Sequence, residues 1–397
     1  MKVVRSKVIY ERMKNPKFLK LLYSQNVIKN LESKGNIEEN TAPEIFVGSY
    51  GYPKVLVGPV LSINIDPIFS SYPNKWIGMN VNDIIKIRSN TLRGEFLSDV
   101  RNPNKNVQEL QISALSSRPF LVFSDIIKIN KLIKASEETA ISGPSFKLSA
   151  LKVKDKYTDY FFEKVYYDFD LNAKDAVLFL YSIGKSVYDI QKLLSIGALG
   201  VKSKRRLVPT RWSITAIDDI ISKENIEKIK QNESIDKIRI FSLYSLSNKW
   251  IIIIFPGSWE YESIEIFYPG TTYNQSKDYA FIYSSYEDFN GRKDYAEMGG
   301  CYYAARLVVS EYLRKLNKQG KVLILREVYE DYKIPLGVWN VREHVNLALK
   351  QNYIELNNYN QVLEFIKNNT VVRIEEWIKN SYLLKKLLFN KSLLSYS

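Results

Sequence analysis

The sequence predicts an α+β protein of two domains, mixing helices and sheets, with a helical C-terminal extension. Its 397 residues exceed the usual size of one domain. Short apolar runs bounded by turn residues, as at 45–60 and 238–267, predict strands in both halves. Helical periodicity predicts two helices near the end of the chain, at about 359–368 and 372–389. The 45% hydrophobic and 25% charged content is that of a protein with a sizeable core.

The N-terminal region begins with basic side chains and a partial apolar stripe. This pattern predicts a basic helical arm over residues 1–35 that is broken near Pro16. A polar loop is expected at 36–45. Two β-type runs then flank a glycine- and tyrosine-rich centre, which predicts a strand–loop–strand over 45–60.

The middle of the chain carries clear helix signals. A loop is expected to lead into a helix over 73–93, and Phe120–Phe123 to form a buried strand. Asn172 and Ser186 are placed to cap two short helices, the first of which is expected to stop at Gly184.

A polar, charged segment at 222–236 marks the predicted domain boundary. The elements expected beyond it are a hairpin over 238–255, a strand at 261–267, a long loop at 269–300, a helix from Gly299, a strand at 321–328 and a helix at 341–351. The predicted divisions are a basic arm at 1–35, an N-terminal domain at 36–225, a C-terminal domain at 226–380 and a tail at 381–397.

The composition limits the possible functions. A net charge of +14 favours a polyanionic partner, and nucleic acid is favoured over an anionic membrane surface. One histidine and one cysteine exclude cysteine-rich zinc sites and internal disulfides, so no zinc is expected. An enzyme of this composition would use carboxylates, with Mg²⁺ as a possible cofactor. The longest apolar run has six residues and no signal peptide is visible, so we expect a cytoplasmic protein with no membrane partner.

The stretch 197–219 is the centre of the predicted nucleic-acid site. Its candidate phosphate-binding and stacking residues are Lys202, Lys204, Arg205, Arg206, Arg211 and Trp212. Tyr50, Tyr52 and Lys54 of the earlier loop are further candidates, because paired tyrosines can stack on bases. The alternatives left open are a solvated basic loop and an ordinary tight turn.

Five blocks of the sequence resemble the archaeal Nre family of DNA-repair proteins. They are VKSKRRLVPTRWSITAIDD at 201–219, FVGSYGYPKVLVGPV at 46–60, GGCYYAARL at 299–307, LREVYEDY at 325–332 and PLGVWNVRE at 335–343. The resemblance implies an N-terminal and a C-terminal Nre domain, a role in DNA-damage repair and DNA as a partner, with the protein associated with the nucleoid.

The resemblance also implies that the tail binds the sliding clamp PCNA. Asn390 stands where this family's motif has glutamine, Leu393 takes the place of the aliphatic residue and Tyr396 that of the aromatic. Related proteins often carry an N-terminal cysteine cluster that is expected to bind zinc. Residues 1–35 hold no cysteine, so this chain resembles a variant of the family without that cluster.

An alternative function is a metal-dependent enzyme that acts on damaged DNA or a nucleotide. Asp294, Glu297, Glu327 and Glu330 are the candidate catalytic acids for Mg²⁺-assisted cleavage. Arg306 and Arg342 are candidate phosphate ligands. The competing interpretation is that these acids and arginines pair with one another to support the fold.

Overall fold

The computed structural model describes residues 2–5, 36–41, 44–130, 143–154, 157–271, 273–274, 276–333 and 335–394. The described chain forms two compact units. The N-terminal unit ends at Ile221, and the C-terminal unit combines Ser222 onward with a strand at the chain's start. Helices and mixed sheets occur in both units, so the predicted α+β class is confirmed.

The strands of the described chain are β1 Lys2–Arg5, β2 Asn36–Thr41, β3 Ile45–Val47, β4 Lys54–Ser62, β5 Thr91–Asp99, β6 Phe120–Asn130, β7 Ser145–Leu148, β8 Lys152–Lys154, β9 Ile238–Ser245, β10 Asn248–Phe255, β11 Glu260–Phe267, β12 Tyr279–Glu287, β13 Lys321–Val328 and β14 Ile354–Leu356. The helices are α1 Pro67–Ser71, α2 Val81–Ser89, α3 Lys105–Ala114, α4 Tyr160–Tyr167, α5 Ala173–Ser182, α6 Val187–Ser195, α7 Thr210–Ile229, α8 Gly300–Leu316, α9 Val338–Leu349, α10 Tyr359–Asn369, α11 Ile374–Asn380 and α12 Tyr382–Leu394. Short 3-10 turns cover Pro73–Trp76 and Lys202–Lys204.

The sheet of the N-terminal unit has the order β2-β6-β7-β5-β4-β3, with β8 pairing β6. Only β5 and β7 run parallel among its described pairs. Glycine is required where β4 crosses β5, because a Cβ on Gly58 would lie 1.8 Å from the carbonyl oxygen of Gly94. This close approach lies at the middle of β4, where the backbones of β4 and β5 meet without an intervening side chain.

The sheet of the C-terminal unit has the order β1-β12-β11-β13-β10-β9-β14. Alternate side chains of its central strands point to opposite faces. On one face, Ile253 and Ile264 share a core with Ile366, Trp377 and other residues of α10, α11 and α12. On the other face, Tyr261 donates a hydrogen bond to the carbonyl of Tyr302 in α8. Because helices cover both faces, β10, β11 and β13 are almost wholly buried.

Several predicted elements match the structure closely. The side chains of Asn172 and Ser186 accept hydrogen bonds from the first turns of α5 and α6, as expected of N-caps. Gly184 ends α5 with a positive φ of 83°. The strand–loop–strand at 45–60 and the hairpin at 238–255 are also confirmed.

Other elements differ from the prediction. Residues 36–41 form a strand rather than a polar loop, because β6 supplies a hydrogen-bonding partner along its length. The predicted loop at 269–300 contains β12, and the predicted helix at 372–389 is two helices separated at Ser381. The predicted basic arm is a strand at Lys2–Arg5, and residues 6–35 of it lie outside the described residues.

The predicted polar linker is also partly helical, since α7 continues to Ile229. Within the described chain, no helix is both long enough and apolar enough to span a bilayer.

Candidate nucleic-acid interface

The tyrosine-rich loop between β3 and β4 projects aromatic rings to the surface of the N-terminal unit. Gly51 has a φ of 82° and closes a tight turn, in which the Lys54 amide donates to the Gly51 carbonyl at 3.0 Å. The side chain of Tyr50 is 89% exposed and that of Tyr52 is 44% exposed. Rings this exposed contribute little to the core and are available for an external partner.

The start of α7 is joined to this loop. The Val47 amide donates a hydrogen bond to Thr210 Oγ1 at 2.9 Å, which ties β3 to the first residue of α7. Two residues further on, the Trp212 indole lies 5.5 Å from the Tyr52 ring between centroids, with the planes tilted by 49°. Trp212 is 46% exposed, so the two rings form a partly open aromatic pair.

A third segment joins the same surface through main-chain hydrogen bonds. The Val100 amide donates to the Pro53 carbonyl at 3.0 Å, and the Leu207 amide donates to the Val100 carbonyl at 2.9 Å. The tyrosine-rich loop, the turn after β5 and the basic stretch are therefore adjacent. We call the resulting patch the Tyr52–Trp212 surface. It comprises Tyr50, Tyr52, Lys54, Arg101, Lys204, Arg206, Arg211 and Trp212, all of them exposed.

Arg101 is the member of this surface that the sequence did not reveal. It follows Asp99, whose carboxylate accepts hydrogen bonds from the amides of Arg101 and Asn102. These two backbone hydrogen bonds are the main reason that the pKa of Asp99 lies below its ordinary value. Arg101 is the only cation between Arg93 and Lys105, so no local charge run signals its place beside the basic stretch.

Two of the predicted basic residues, Arg205 and Lys202, are engaged in contacts within the protein. Arg205 donates from Nε to the Gly200 carbonyl at 2.6 Å and from Nη1 to the Tyr166 carbonyl at 2.7 Å, and Nη2 contacts two more carbonyls. Its guanidinium therefore holds the backbone of the basic stretch. Lys202 Nζ lies 4.3 Å from the centroid of the Phe169 ring, so it packs on an aromatic face at the other end of the stretch.

The predicted phosphate ligands of the C-terminal unit are buried. Arg306 is 2% exposed and forms an ion pair of 2.7 Å with Glu287, while its Nε donates to Ser222. Arg342 is 4% exposed within α9. These positions support the interpretation in which the arginines stabilise the fold.

The four candidate catalytic acids do not share one environment. Asp294, Glu297 and Glu330 are exposed, and Glu330 lies 3.6 Å from Lys333. Glu327 is 1% exposed, and its carboxylate accepts hydrogen bonds from the Tyr268 hydroxyl and the Val372 amide, both at 2.8 Å. Among the described residues, no group of three or more His, Cys, Asp or Glu side chains is placed to hold a metal ion.

The predicted clamp-binding residues fall at the end of the described chain. Asn390 and Leu393 belong to α12, but their side chains lie outside the described set, as does the whole of Tyr396. The start of α12 is well anchored, because Glu262 accepts hydrogen bonds from Ser381 Oγ at 2.6 Å and the Tyr382 amide at 2.8 Å. The tail assignment stays a prediction.

Comparisons with known proteins identify the family. Residues 13–274 match the profile described as Archaeal Nre, N-terminal, and residues 287–396 match Archaeal Nre, C-terminal. DNA repair protein NreB of Archaeoglobus fulgidus is 37% identical over 361 residues, covering 87% of this chain and 88% of that protein.

Two further relatives have the same name apart from its last letter. DNA repair protein NreA of the same organism is 35% identical, covering 87% of both chains. DNA repair protein NreA of Haloferax volcanii is 33% identical, covering 78% of this chain and 77% of that protein. No solved structure matches the chain significantly. The chain belongs to the archaeal Nre family.

Proposed function

We propose that this protein acts in DNA repair by binding DNA through the Tyr52–Trp212 surface. The observation that carries the proposal is the exposed ring pair of Tyr52 and Trp212 beside the cations Lys54, Arg206 and Arg211. Cations neutralise backbone phosphates, and aromatic faces stack on bases of any sequence. This combination suits a single-stranded or locally unpaired region of DNA better than an intact duplex, whose bases are already stacked.

The names of the relatives support the repair part of the proposal, since all three are DNA repair proteins. The net charge of +14 supports the nucleic-acid part. A protein with this role would be associated with the nucleoid in the cytoplasm.

Fluorescence anisotropy with labelled single-stranded and duplex oligonucleotides tests the proposal. We expect wild-type protein to bind the single strand more tightly, and the variant Lys204→Ala/Arg206→Ala to bind it several-fold more weakly. The matched control Lys237→Ala/Lys333→Ala removes two exposed lysines of the C-terminal unit and should bind as wild type does. Equal losses in both variants would show that net charge alone, and not this surface, attracts DNA.

We further propose that the C-terminal tail binds PCNA through Leu393 and Tyr396, with Asn390 in the place of the usual glutamine. Two apolar anchors on a short segment are typical of peptides that fill a pocket on a partner. A clamp pull-down with Leu393→Ala/Tyr396→Ala tests this: binding should be lost. Undiminished capture relative to a Lys391→Ala control would reject the assignment.

The metal-dependent alternative lacks an observation in its favour. Its four candidate acids include one, Glu327, whose two oxygens already accept four different hydrogen-bond donors. We therefore do not propose a metal-dependent activity.

A further inference from the structure

Two helices of the C-terminal unit begin at glycines that no side chain caps. Gly299 precedes α8 with a φ of 61°, and Gly337 precedes α9 with a φ of 94°. The first N–H groups of a helix have no partner within the helix and carry partial positive charge. Because α8 and α9 pack against each other on the same face of the sheet, these two starts belong to one layer of the unit.

The first turn of α9 contains a buried amide without partners. Asn340 is 1% exposed, and neither its Nδ2 nor its Oδ1 has a hydrogen-bond partner. An orphaned buried amide costs about 1–3 kcal/mol for each unmet hydrogen bond, so such a group usually has a bound partner in the working protein. Its main-chain carbonyl, in contrast, accepts from His344 Nδ1 at 2.7 Å.

A second orphaned donor lies in the same neighbourhood. Trp250 of β10 is 1% exposed, and its Nε1 has no partner. Its ring is stacked on that of His344, one turn along α9 from Asn340, at 6.3 Å between centroids. Trp250 and Asn340, the two residues with orphaned polar groups, therefore both contact one histidine, Trp250 through its ring and Asn340 through its main-chain carbonyl.

The guanidinium of Arg326 and the phenol of Tyr332 lie in the same neighbourhood. The Arg326 guanidinium lies 4.6 Å from the centroid of the Trp250 ring and 5.7 Å from that of Tyr332. Arg326 is paired with Glu265 at 2.8 Å, which offsets most of its charge. The Tyr332 hydroxyl accepts from the Leu336 amide, just before Gly337.

We propose that these residues form a binding site for a phosphate monoester. The Asn340 site, as we call it, comprises Trp250, Arg326, Tyr332, Asn340 and the first turn of α9. The Trp250 N–H and the Asn340 NH₂ donate to phosphate oxygens, and the start of α9 adds the positive end of its helix dipole. Asn340 Oδ1 accepts from the hydroxyl of a protonated phosphate. The free energy of phosphate binding comes from neutral donors and the start of α9, because the Arg326 guanidinium is already paired with Glu265.

This chemistry predicts a preference between two anions of the same shape. Inorganic phosphate near pH 6.5 carries a hydroxyl that can donate to Asn340 Oδ1, whereas sulfate carries none. Since an unsatisfied buried acceptor is costly, phosphate should bind about tenfold more tightly than sulfate.

Isothermal titration calorimetry of the full chain at constant ionic strength tests the site. We expect one phosphate per chain, with binding weakened about tenfold or more by Asn340→Asp, which places a negative charge against the ligand, and by Trp250→Phe, which removes the N–H. Asn340→Leu, which removes an amide without partners, should keep the fold and lose the binding. The control Arg206→Ala, on the Tyr52–Trp212 surface, should bind phosphate as wild type does.

A comparison of three ligands shows whether the bound phosphate belongs to a free nucleotide or to the 5′ end of a strand. A deoxynucleoside 5′-monophosphate and a 5′-phosphorylated oligonucleotide are compared with inorganic phosphate, in the Arg206→Ala/Trp212→Ala background so that the DNA surface contributes little. Tighter binding of the mononucleotide indicates a free nucleotide, and a gain on 5′-phosphorylation of the oligonucleotide indicates a strand end. Absence of phosphate binding by wild type, or equal binding by Asn340→Leu and wild type, would overturn the proposal.

Discussion

The indole of Trp212 and the phenol of Tyr52 lie 5.5 Å apart although 160 residues separate them in the chain. Thr210 holds them together, because its hydroxyl accepts the Val47 amide and lies 3.3 Å from Ser195 Oγ. The aromatic pair is thus placed by Thr210, the half-buried first residue of α7, and not by the exposed rings themselves. Loss of either ring should leave the fold intact.

The first prediction concerns these two rings. Trp212→Ala and Tyr52→Ala should each weaken binding of single-stranded DNA by about 1–3 kcal/mol, because each removes a stacking platform for one base. Thermal unfolding should change little, since both side chains are half exposed. A double-mutant cycle measured by anisotropy gives the coupling between them. Wild-type affinity in the double variant would contradict a stacking role.

The second prediction contrasts two adjacent arginines. Arg206→Ala should reduce the slope of log affinity for single-stranded DNA against log salt by about 0.7, as expected for one lost phosphate contact. Arg205→Ala should lower the unfolding temperature, because it leaves carbonyls of Gly200 and Tyr166 without their donor. Affinity titrations at several salt concentrations and thermal unfolding of both variants test this. If Arg205→Ala reduced the salt slope and Arg206→Ala lowered the unfolding temperature, the roles assigned to the two arginines would be wrong.

The third prediction concerns the buried pair of Arg306 and Glu287. Arg306→Ala should lower the free energy of unfolding by about 3–5 kcal/mol, because Glu287 is left buried and uncompensated. The control Lys315→Ala, at an exposed position of the same helix, should change it by less than about 0.5 kcal/mol. Denaturant unfolding measures both. A stable Arg306→Ala variant with weakened DNA binding would instead restore Arg306 as a phosphate ligand.

The fourth prediction concerns pH. Burial lowers the pKa of His344 from 6.5 to about 4, while its Nε2 lies 2.9 Å from Ser245 Oγ. As the pH falls below 6.5 the unfolded chain binds this proton before the folded chain does, so stability present above pH 6.5 is lost towards pH 4. The loss is about 3 kcal/mol. Denaturant unfolding of the wild type should show the free energy of unfolding falling as the pH is lowered from 7 to 4.5.

His344→Gln provides the control for this slope, since His344 is the sole histidine of the chain. The variant should show a flatter dependence of the free energy of unfolding on pH between 7 and 5, because it lacks this titrating group. An equal slope in the variant would assign the dependence to other groups.

The sequence predicted elements whose signals are local. Asn172 and Ser186 cap helices because the residues that they bond lie within the next three positions. The strand Asn36–Thr41 was missed because, of its residues, Ile37 alone is apolar, and the strand depends on a partner about 85 residues away. Strand β12 was missed for a similar reason, since its pairing with β11 crosses a turn-rich segment.

The sequence predicted the local segments of the candidate site but not the contact between them. The basic stretch and the tyrosine-rich loop are visible as runs in the sequence, whereas their contact depends on the hydrogen bonds of Val100 and Thr210. Charge type alone did not separate Arg206, which is exposed, from Arg306, which is buried against an acid. That difference is set by tertiary packing.

The salt dependence of single-stranded DNA binding tests the central proposal most directly. Wild type and the variant Lys54→Ala/Arg101→Ala/Arg206→Ala/Arg211→Ala are titrated by anisotropy at several salt concentrations. We predict a steep loss of affinity with salt in wild type and a slope shallower by about 3 in the variant, since each lost phosphate contact removes about 0.7 from the slope for a single strand. Parallel slopes for the two proteins would contradict DNA binding at the Tyr52–Trp212 surface.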